Sequence, residues 1–418
     1  MIKTDVLILG AGCAGTSLAH HLESNGFEGS IDLCDSRAAF GREQRWCTWA
    51  DVPETMSHLV RHSWSSWSLV TDSEELVKTS DKIRYSEIYA PDFFSHFHEK
   101  WKGGSDQTKL HLNETVLDCH PDSEGVVVTT NLREWHARFV FDARFRADAR
   151  KPSASEGLHQ SFLGWTVEFP REVFDPGKVI LMDFRLPAAT GMNFIYILPY
   201  SKTKALVEST CFTEKSIPWH QHIENVQNYL TVNFGDDYWI EAEESGSLPM
   251  SIRPRQMKSI DGRILTIGAG GEGIRPSSGY AFHRIQRSTS AIAESLCGTG
   301  TINAVTLSSE RYRFLDSVFL DVLRGDLGEA KNLFESMFRH VDTDSLARFM
   351  LDAGSVSDDL RVISSLPKSP FVSAVSKKLF SSATRRLGAL GSYEDVDATV
   401  RNSMARAVTH DSVRDFNR

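Results

Sequence analysis

An apolar run near the start of the chain, Asp5-Val6-Leu7-Ile8-Leu9, leads into Gly10-Ala11-Gly12-Cys13-Ala14-Gly15, and an acidic residue, Asp35, follows about 20 residues later. These residue types at this spacing bind the pyrophosphate of a dinucleotide. Gly10 makes the tight turn, Gly12 lets the backbone approach a phosphate, and Gly15 brings helix and strand together; Asp35 offers an acceptor to a ribose hydroxyl. The helix that starts there aims its N–H groups at the phosphates. A second cluster, Gly268-Ala269-Gly270-Gly271-Glu272-Gly273, runs on into Ile274-Arg275-Pro276-Ser277-Ser278-Gly279-Tyr280. It fits a second dinucleotide turn with a nicotinamide site. The favoured reading is a loop at the flavin end of FAD, with Pro276 fixing a helix start and Gly279 allowing close backbone approach; N–H groups at that start would favour an anionic reduced flavin.

The elements that must position these groups alternate along the chain. Strand patterns at Ile31 to Asp35, Val126 to Thr130, Ala137 to Phe141 and Arg263 to Ile267 belong with the first glycine turn. Others, at Gly164 to Phe169, Val179 to Arg185, Phe194 to Pro199 and Ala205 to Phe212, predict an antiparallel sheet forming a substrate wall. From about Arg311, apolar residues at helical spacing (Phe314, Val318, Phe319, Val322, Leu323, then Leu333, Met337, Phe338) predict a helical layer. The expected fold is α/β: a Rossmann-type FAD-binding domain of the glutathione-reductase/hydroxylase kind, interleaved with an antiparallel-sheet substrate domain and a C-terminal helical layer. Residues 1–60, 110–150 and 255–305 form the discontinuous FAD-binding domain, 61–109 and 151–254 the substrate-binding domain, 306–390 the helical region and 391–418 a polar tail.

A chain of 418 residues, 41% hydrophobic, can bury a large core, and its formal charge of −9 argues against a nucleic-acid partner. Cys13, Cys34, Cys47, Cys119, Cys211 and Cys297 show no Cys-x-x-Cys pair and read as buried thiols in a reducing cytosol. His58 and His62 stand four apart, which on a helix would put both rings on one face, but Leu59 occupies the place of a hydrolase glutamate and a third ligand is missing. No metal is expected. No apolar run is long enough to span a membrane, so a cytoplasmic location is expected. Peripheral docking on the inner face of the membrane is one reading of Phe371, Val372, Val375, Leu379 and Phe380 with Lys368, Lys377, Lys378, Arg385 and Arg386; a helix packed on the protein core is the other. Asp183 and Arg185, on one predicted strand, suit an internal ion pair.

Taken in order, a set of blocks resembles the FAD-dependent lycopene cyclases, the carotenoid ring-forming flavoproteins of bacteria and plants. They are the N-terminal glycine turn, Arg45-Trp46-Cys47-Thr48-Trp49, His62-Ser63-Trp64, Phe141-Asp142-Ala143-Arg144, Gln160 to Trp165, Leu181 to Arg185, Ile197 to Tyr200, Leu206-Val207-Glu208-Ser209-Thr210, Leu248-Pro249-Met250 and Pro276 to Phe282. The resemblance covers roughly Asp5 to Phe380 and implies an intramolecular lyase or isomerase of carotenoid biosynthesis. It implies a hydrophobic polyene or isoprenoid substrate, FAD active in its reduced form, and a flavin-reducing system with NADPH as indirect reductant. Glu208 matches the family's acid/base glutamate, while Ser209 replaces the second acidic residue of the plant pattern; Asp142 and Arg144 match its Asp-x-Arg element. On this reading Glu208, Asp142 and Arg144 are the catalytic candidates.

Such a reaction begins when a proton adds to a terminal alkene, an internal double bond then attacks the tertiary cation, and a proton leaves from a neighbouring carbon, with no net oxidation. A glutamic acid in an apolar pocket stays protonated and able to donate. An anionic flavin about 4 Å from the cation would contribute roughly 4 kcal/mol at an effective dielectric of about 20, on the order of a thousandfold in rate if realised only in the transition state. Among nine tryptophans, Trp46 and Trp49 follow the second strand closely, and with Tyr280 they are the candidates to offer ring faces to a cation. The rival readings are a flavin-dependent monooxygenase or reductase acting on a small lipophilic compound, and a non-enzymatic carotenoid or flavin carrier. Asp142-Ala143-Arg144 where hydroxylases show Asp-Gly weighs against the first.

Overall fold

Leu9 is hydrogen-bonded in register with Cys34 on one side and Asp142 on the other, and Asp142 pairs in turn with Thr266, so four parallel strands end at one edge. The computed structural model describes residues 1–103, 107–145, 157–186, 191–252, 262–303 and 305–388, with side chains as far as 378. The four strands are β1 (Ile2–Leu9), β2 (Ile31–Cys34), β11 (Glu134–Asp142) and β17 (Ile264–Thr266), and β8 (Thr108–His111) extends the sheet beyond β2. On the other flank, β10 (Val126–Thr130) and β9 (Val116–Pro121) add an antiparallel arm. Val6 to Leu9 are all fully buried, as expected for a central parallel strand covered on both faces. Helices α1 (Cys13–Ser24), α2 (Ala90–Lys102) and α4 (Phe282–Thr299) contribute Leu18, Phe93 and Ile292 to one core with Val6 and Ile8.

The second sheet runs β16 (Trp239–Ser251), β12 (Gly157–Glu168), β15 (Lys204–Thr213), β14 (Met192–Pro199), β13 (Lys178–Asp183), β5 (Ser66–Val70) and β6 (Glu75–Thr79). It is antiparallel except where β13 lies parallel to β5. Leu163, Trp165, Ile197 and Val207 point to one face and pack under α3 (Trp219–Phe234) through Val226, Tyr229 and Leu230. The alternate residues of those strands therefore form the opposite face. A third sheet of β3 (Arg45–Thr48), β7 (Tyr85–Tyr89) and β4 (Val60–Trp64) completes the strands. The segment 61–109 is thus shared: it supplies β5 and β6 to the second sheet, β4 and β7 to the third, and α2 and β8 to the first.

Helices α5 (Glu310–Gly325), α6 (Ala330–His340), α7 (Thr343–Met350) and α8 (Val356–Ser365) follow in the same compact unit, which ends at Leu366. A separate unit begins at Pro367 and contains α9 (Lys368–Gly388), on which Val372 is exposed. Leu379, Phe380, Arg385 and Arg386 of the basic stretch, and the tail at 391–418, lie outside the described side chains. Among the described residues no helix is long and apolar enough to cross a membrane.

One local expectation is corrected. Pro276 does not start a helix: Ser278 and Gly279 donate their N–H groups back to the Arg275 carbonyl, the segment is a turn, and α4 begins at Phe282. His58 and His62 share no helix face, since His58 sits in a 3-10 turn (Glu54–Leu59) and His62 on β4. The His58 ring instead meets His96 at 3.3 Å.

Asp183, fully buried at the end of β13, accepts from Arg185 Nε at 2.9 Å and from the Tyr229 hydroxyl at 2.6 Å, so the expected ion pair forms and is tied to α3. Tyr229→Phe removes one donor from a buried carboxylate. It is expected to cost about 1–3 kcal/mol, read as a lowered denaturant midpoint at unchanged slope.

Candidate active site

The strand edge described above gathers both glycine clusters. Gly10 takes φ +99°, a conformation that favours glycine, and a Cβ on Gly15 would lie 2.0 Å from the Gly10 carbonyl oxygen, so α1 can approach β1 only without a side chain there. A Cβ on Gly12 would meet nothing closer than the Arg37 guanidinium at 3.6 Å. The start of α1 has no capping side chain and no acid in its first turn, and is open to an anion with a guanidinium beside it. Gly268 packs on α1, where a Cβ would come within 2.5 Å of Ala14, and one on Gly270 within 3.1 Å of the Arg144 carbonyl. Gly271 folds back to the Gly268 carbonyl through a 3.0 Å hydrogen bond. These residues fit a dinucleotide.

Asp35 is placed at the end of β2, as the motif requires, but its oxygens are occupied. Oδ2 accepts from the Ala11 N–H at 2.8 Å and Arg37 Nη2 at 2.7 Å, and Oδ1 from Arg37 N and Nε, each at 2.9 Å. Burial pushes this carboxyl up, and Arg37 with the Ala11 amide more than offsets it, holding Asp35 below the usual range. A ribose hydroxyl would have to displace the half-exposed Arg37 guanidinium. Asp142 and Arg144 form the same fork, at 2.7 Å and 2.8 Å, and the Arg144 stem lies 3.4 Å from where a Gly10 Cβ would stand. The pair therefore stands at the nucleotide turn, on a different sheet from Glu208, and its geometry braces Gly10 and Gly270.

Glu208 lies on β15, on the sheet face opposite α3. In register across the sheet, Glu244 of β16 pairs with Gly164 of β12, Gly164 with Glu208, and Glu208 with Tyr196 of β14. Opposed residues share a face, so these four form one row. Leu206, Phe212, Phe194 and Leu198, all buried, are on the same face and make its surroundings apolar. Glu208 itself is 8% exposed and accepts from the Thr210 hydroxyl at 2.6 Å. Burial, then the charge of Glu244, push its carboxyl up to about 8, against the pull of Thr210 and Arg45. It is neither solvated nor paired with an arginine, the two ordinary fates of a strand glutamate.

Ser209 points the other way, its hydroxyl 3.1 Å from His222 Nδ1 of α3. Neighbouring residues of a strand face opposite sides, so position 209 cannot pair with Glu208 in this sheet whatever its side chain. The second carboxyl near Glu208 is Glu244, whose Oε2 accepts from Arg45 Nη1 at 2.9 Å. Arg45 also stands 3.4 Å from Glu87 and 3.6 Å from Glu43, and donates to Thr166 at 3.0 Å. Burial raises Glu87 to about 7, with Arg45 opposing and Glu244 assisting. The sequence reading missed Glu244 and Glu87. Glu244 sits in a run, Glu241 to Glu244, that reads as a solvated strand end, and only the cross-strand register distinguishes it.

Tyr280 and Trp49 come together, and Trp46 goes elsewhere. The Tyr85 hydroxyl lies 2.9 Å from that of Tyr280 and 3.0 Å from that of Tyr196, which in turn donates to Cys47 Sγ at 3.4 Å. The Trp49 ring packs 4.6 Å from Tyr85 and 5.1 Å from Tyr280. Trp46, partly buried, stacks on Phe282 at 5.7 Å and edge-on to Phe93 at 5.3 Å, against the core of the first sheet. Gly279, at φ +74°, brings the loop against Gln160 of β12, where a Cβ would come within 2.2 Å of Oε1. Trp49 Nε1 and Gln160 Oε1 are buried without a hydrogen-bond partner among the described residues. Unpartnered polar atoms beside the glycine loop fit a group bound between loop and sheet. Pro276 and Gly271 line a small pocket with Pro249, Glu272 and Arg284.

The loop is held from beneath. Arg275, 1% exposed, reaches Asp316 at 3.0 Å and Asp352 at 2.9 Å, and Ser277 donates to Asp316 at 2.7 Å. Among the described residues no group of histidine, cysteine and acidic side chains could hold a metal ion.

Residues 5–376 match the family profile described as lycopene cyclase protein. The chain belongs to the lycopene cyclase family. It is 23% identical over 399 residues to a lycopene beta-cyclase of Pantoea ananas, covering 89% of this chain and 97% of that protein. A lycopene beta-cyclase of Pseudescherichia vulneris is 23% identical over 394 residues, covering 88% and 95%. Among solved structures, a flavoprotein/dehydrogenase from Cytophaga hutchinsonii aligns with a TM-score of 0.59 at 16% identity, over 86% of this chain and 94% of that one. A geranylgeranyl bacteriochlorophyll reductase-like protein from Thermoplasma acidophilum aligns with a TM-score of 0.58 at 12% identity, over 90% and 99%. At these identities the structural likeness shows the fold alone, and the fold is the expected Rossmann-type α/β architecture with a second, largely antiparallel sheet.

Proposed function

We propose that this lycopene cyclase family member holds FAD and closes a ring on lycopene or a related polyene, with Glu208 as the acid. The observation that carries the reading is the placement of Glu208: a carboxyl buried on the apolar face of the second sheet, where burial favours its protonated form, in a row with Tyr196 and near Tyr280 of the glycine loop. Gly10, Gly12 and Gly15 with Gly268 and Gly270 would hold the dinucleotide, and Gly271 and Gly279 shape the loop beside it. In its reduced form the flavin supplies negative charge near a developing cation.

The chain's own residues do the rest. The Glu208 O–H bond breaks as its proton forms a C–H bond with the terminal alkene, and the internal double bond supplies the electron pair of the new ring bond. A proton then leaves a neighbouring carbon to a carboxylate, so the product is an isomer and no electrons are consumed. Trp49 and Tyr280 offer ring faces to the cation, and the neutral phenols of the Tyr85 cluster exclude a competing nucleophilic anion. Burial holds Tyr85 and Tyr196 well above the ordinary tyrosine value, which keeps them neutral. For delivery of the substrate from a bilayer, the exposed Val372 with Lys377 on α9 supports peripheral docking.

The test is purified protein with lycopene in liposomes, without oxygen, supplied with FAD and a reductant. A product of unchanged mass formed without stoichiometric NADPH use is the expected result. Unreacted lycopene, with oxygen-dependent NADPH consumption on another acceptor, would replace this reading with a monooxygenase.

A further inference from the structure

The row Glu244, Gly164, Glu208 places two carboxyl groups on one sheet face with a residue lacking a side chain between them. The space over Gly164 is in use: a Cβ there would come within 2.9 Å of the Glu208 Cβ and 3.2 Å of its Cγ, so Glu208 leans across the gap. On its far side Glu244 is fixed by the Arg45 guanidinium at 2.9 Å, and Arg45 by Thr166 at 3.0 Å and Glu87 at 3.4 Å. We propose that Glu244, anchored by Arg45 across the Gly164 gap, is the positioning residue that keeps Glu208 protonated and ready to donate. This rests on the reading of Glu208 as the acid, and it places the second carboxyl of the site on β16, two strands from the Leu206 to Thr210 block.

The physical argument is one of order. Two carboxyls buried on one face do not both ionise freely; burial raises both, and the guanidinium in contact with Glu244 opposes that rise, so Glu244 ionises first. Once charged, Glu244 disfavours a second negative charge on Glu208. The other groups that act on Glu208 are Arg45 on β3 and the Thr210 hydroxyl on its own strand, both favouring the carboxylate; Tyr280 of the loop and Tyr196 of β14 are neutral. Glu87 on β7 shares Arg45 and divides its charge. Removing the Glu244 charge therefore takes away the repulsion and frees Arg45 to attract, and both effects act in the same direction.

Strands lie about 4.8 Å apart, so the backbones of Glu208 and Glu244 are about 10 Å apart, and at an effective dielectric of about 20 one unit charge at that distance displaces a titration by roughly one pH unit. The Glu208 proton is followed by isotope-edited infrared titration of protein carrying 13C-glutamate, each form compared with its Glu208→Gln counterpart, alongside the pH profile of cyclisation. In Glu244→Gln, which keeps an acceptor for Arg45, the Glu208 proton is expected to leave roughly one pH unit lower, and the alkaline limb of kcat/KM to move with it. Glu244→Asp, which keeps the charge, is expected to restore the limb. A titration unmoved in Glu244→Gln, or a uniform loss of rate with an unmoved limb, overturns the proposal. Glu244 ionises while Glu208 is still neutral, so its own titration is expected to be unchanged in Glu208→Gln, which assigns the two steps. Should Glu244→Gln fail to fold, the order in the wild type decides, and a Glu208 proton that leaves before that of Glu244 overturns the proposal. The infrared titration needs no lycopene, so a protein that leaves lycopene unreacted yet shows the Glu244-dependent titration overturns the proposed substrate and leaves the pair standing.

Discussion

Glu208→Gln is expected to lower the rate of cyclisation by about a thousandfold or more while leaving the fold and flavin content unchanged. Glutamine keeps the shape of the protonated glutamic acid and can still accept from the Thr210 hydroxyl, but its amide gives up no proton to an alkene. General acids contribute about 10²- to 10⁴-fold, and the rest of the row offers no comparable proton source, since Glu244 is held against Arg45, Gly164 is bare and Tyr196 is a weak acid. The pH profile carries the same assignment. With the Glu208 carboxyl pushed up to about 8, the acid form prevails below that pH, kcat/KM is flat there, and above it the rate falls about tenfold per pH unit. A base-catalysed step would rise where this one falls. Stability gives an independent check with its own sign: a carboxyl whose folded value lies above its unfolded value, near 4.3, stabilises the fold fully below that value and loses its contribution as pH rises through about 8. At pH 9 the wild type is therefore expected to be less stable than Glu208→Gln, by on the order of 5 kcal/mol, in denaturant titrations. Equal stability at pH 9 would mean that Glu208 is ionised throughout.

The nucleotide half of this molecule was readable because its chemistry is local. A tight turn, a close helix and a carboxylate at the end of the second strand are set by residues within one βαβ unit, and Gly10, Gly12, Gly15 and Asp35 stand where the motif puts them. What the motif does not encode is the side-chain competition at the end of the strand, where Arg37 takes the Asp35 oxygens. The loop after Gly273 resisted for a related reason: proline at 276 is compatible with both a helix start and a turn, and the deciding factor is the buried Arg275 held by Asp316 and Asp352, residues about 40 and 77 positions away. The acid site is harder still, because a strand residue acquires its neighbours only through register. Resemblance points to Glu208, Glu244 has no local signature, and the Asp142–Arg144 fork stands at the end of the first sheet beside the glycine turn. Period-two alternation alone does show that positions 208 and 209 face opposite ways, and that inference needs only the strand.

Gly15→Ala is expected to yield protein that purifies without flavin. The methyl carbon would stand 2.0 Å from the Gly10 carbonyl oxygen, 3.1 Å from the Gly10 carbonyl carbon and 3.1 Å from Ile8 Cγ2, and two of those three atoms are backbone, with no rotamer to yield. Relief requires α1 to move away from β1 by more than an ångström, which opens the turn that Gly10 makes at φ +99° and breaks the register between Gly12, the open helix start and Arg37. Overpacking of this kind costs about 1–3 kcal/mol where side chains can adjust, and backbone contacts are less forgiving. The core around α1 is large, with Leu18, Ala19 and Leu22 fully buried, so the fold is expected to survive with a melting temperature lowered by a few degrees. Flavin affinity is where the displacement is concentrated, because phosphate binding at a helix start depends on the aim of two or three N–H groups. A loss of at least a hundredfold in affinity, measured by fluorescence quenching of added FAD, would separate this effect from unfolding. Gly12→Ala is the informative neighbour: its methyl meets only the Arg37 guanidinium at 3.6 Å, so it is expected to leave the melting temperature unchanged and to obstruct the phosphate alone. A Gly15→Ala protein that keeps its flavin at wild-type affinity would show that the dinucleotide is not held at this turn.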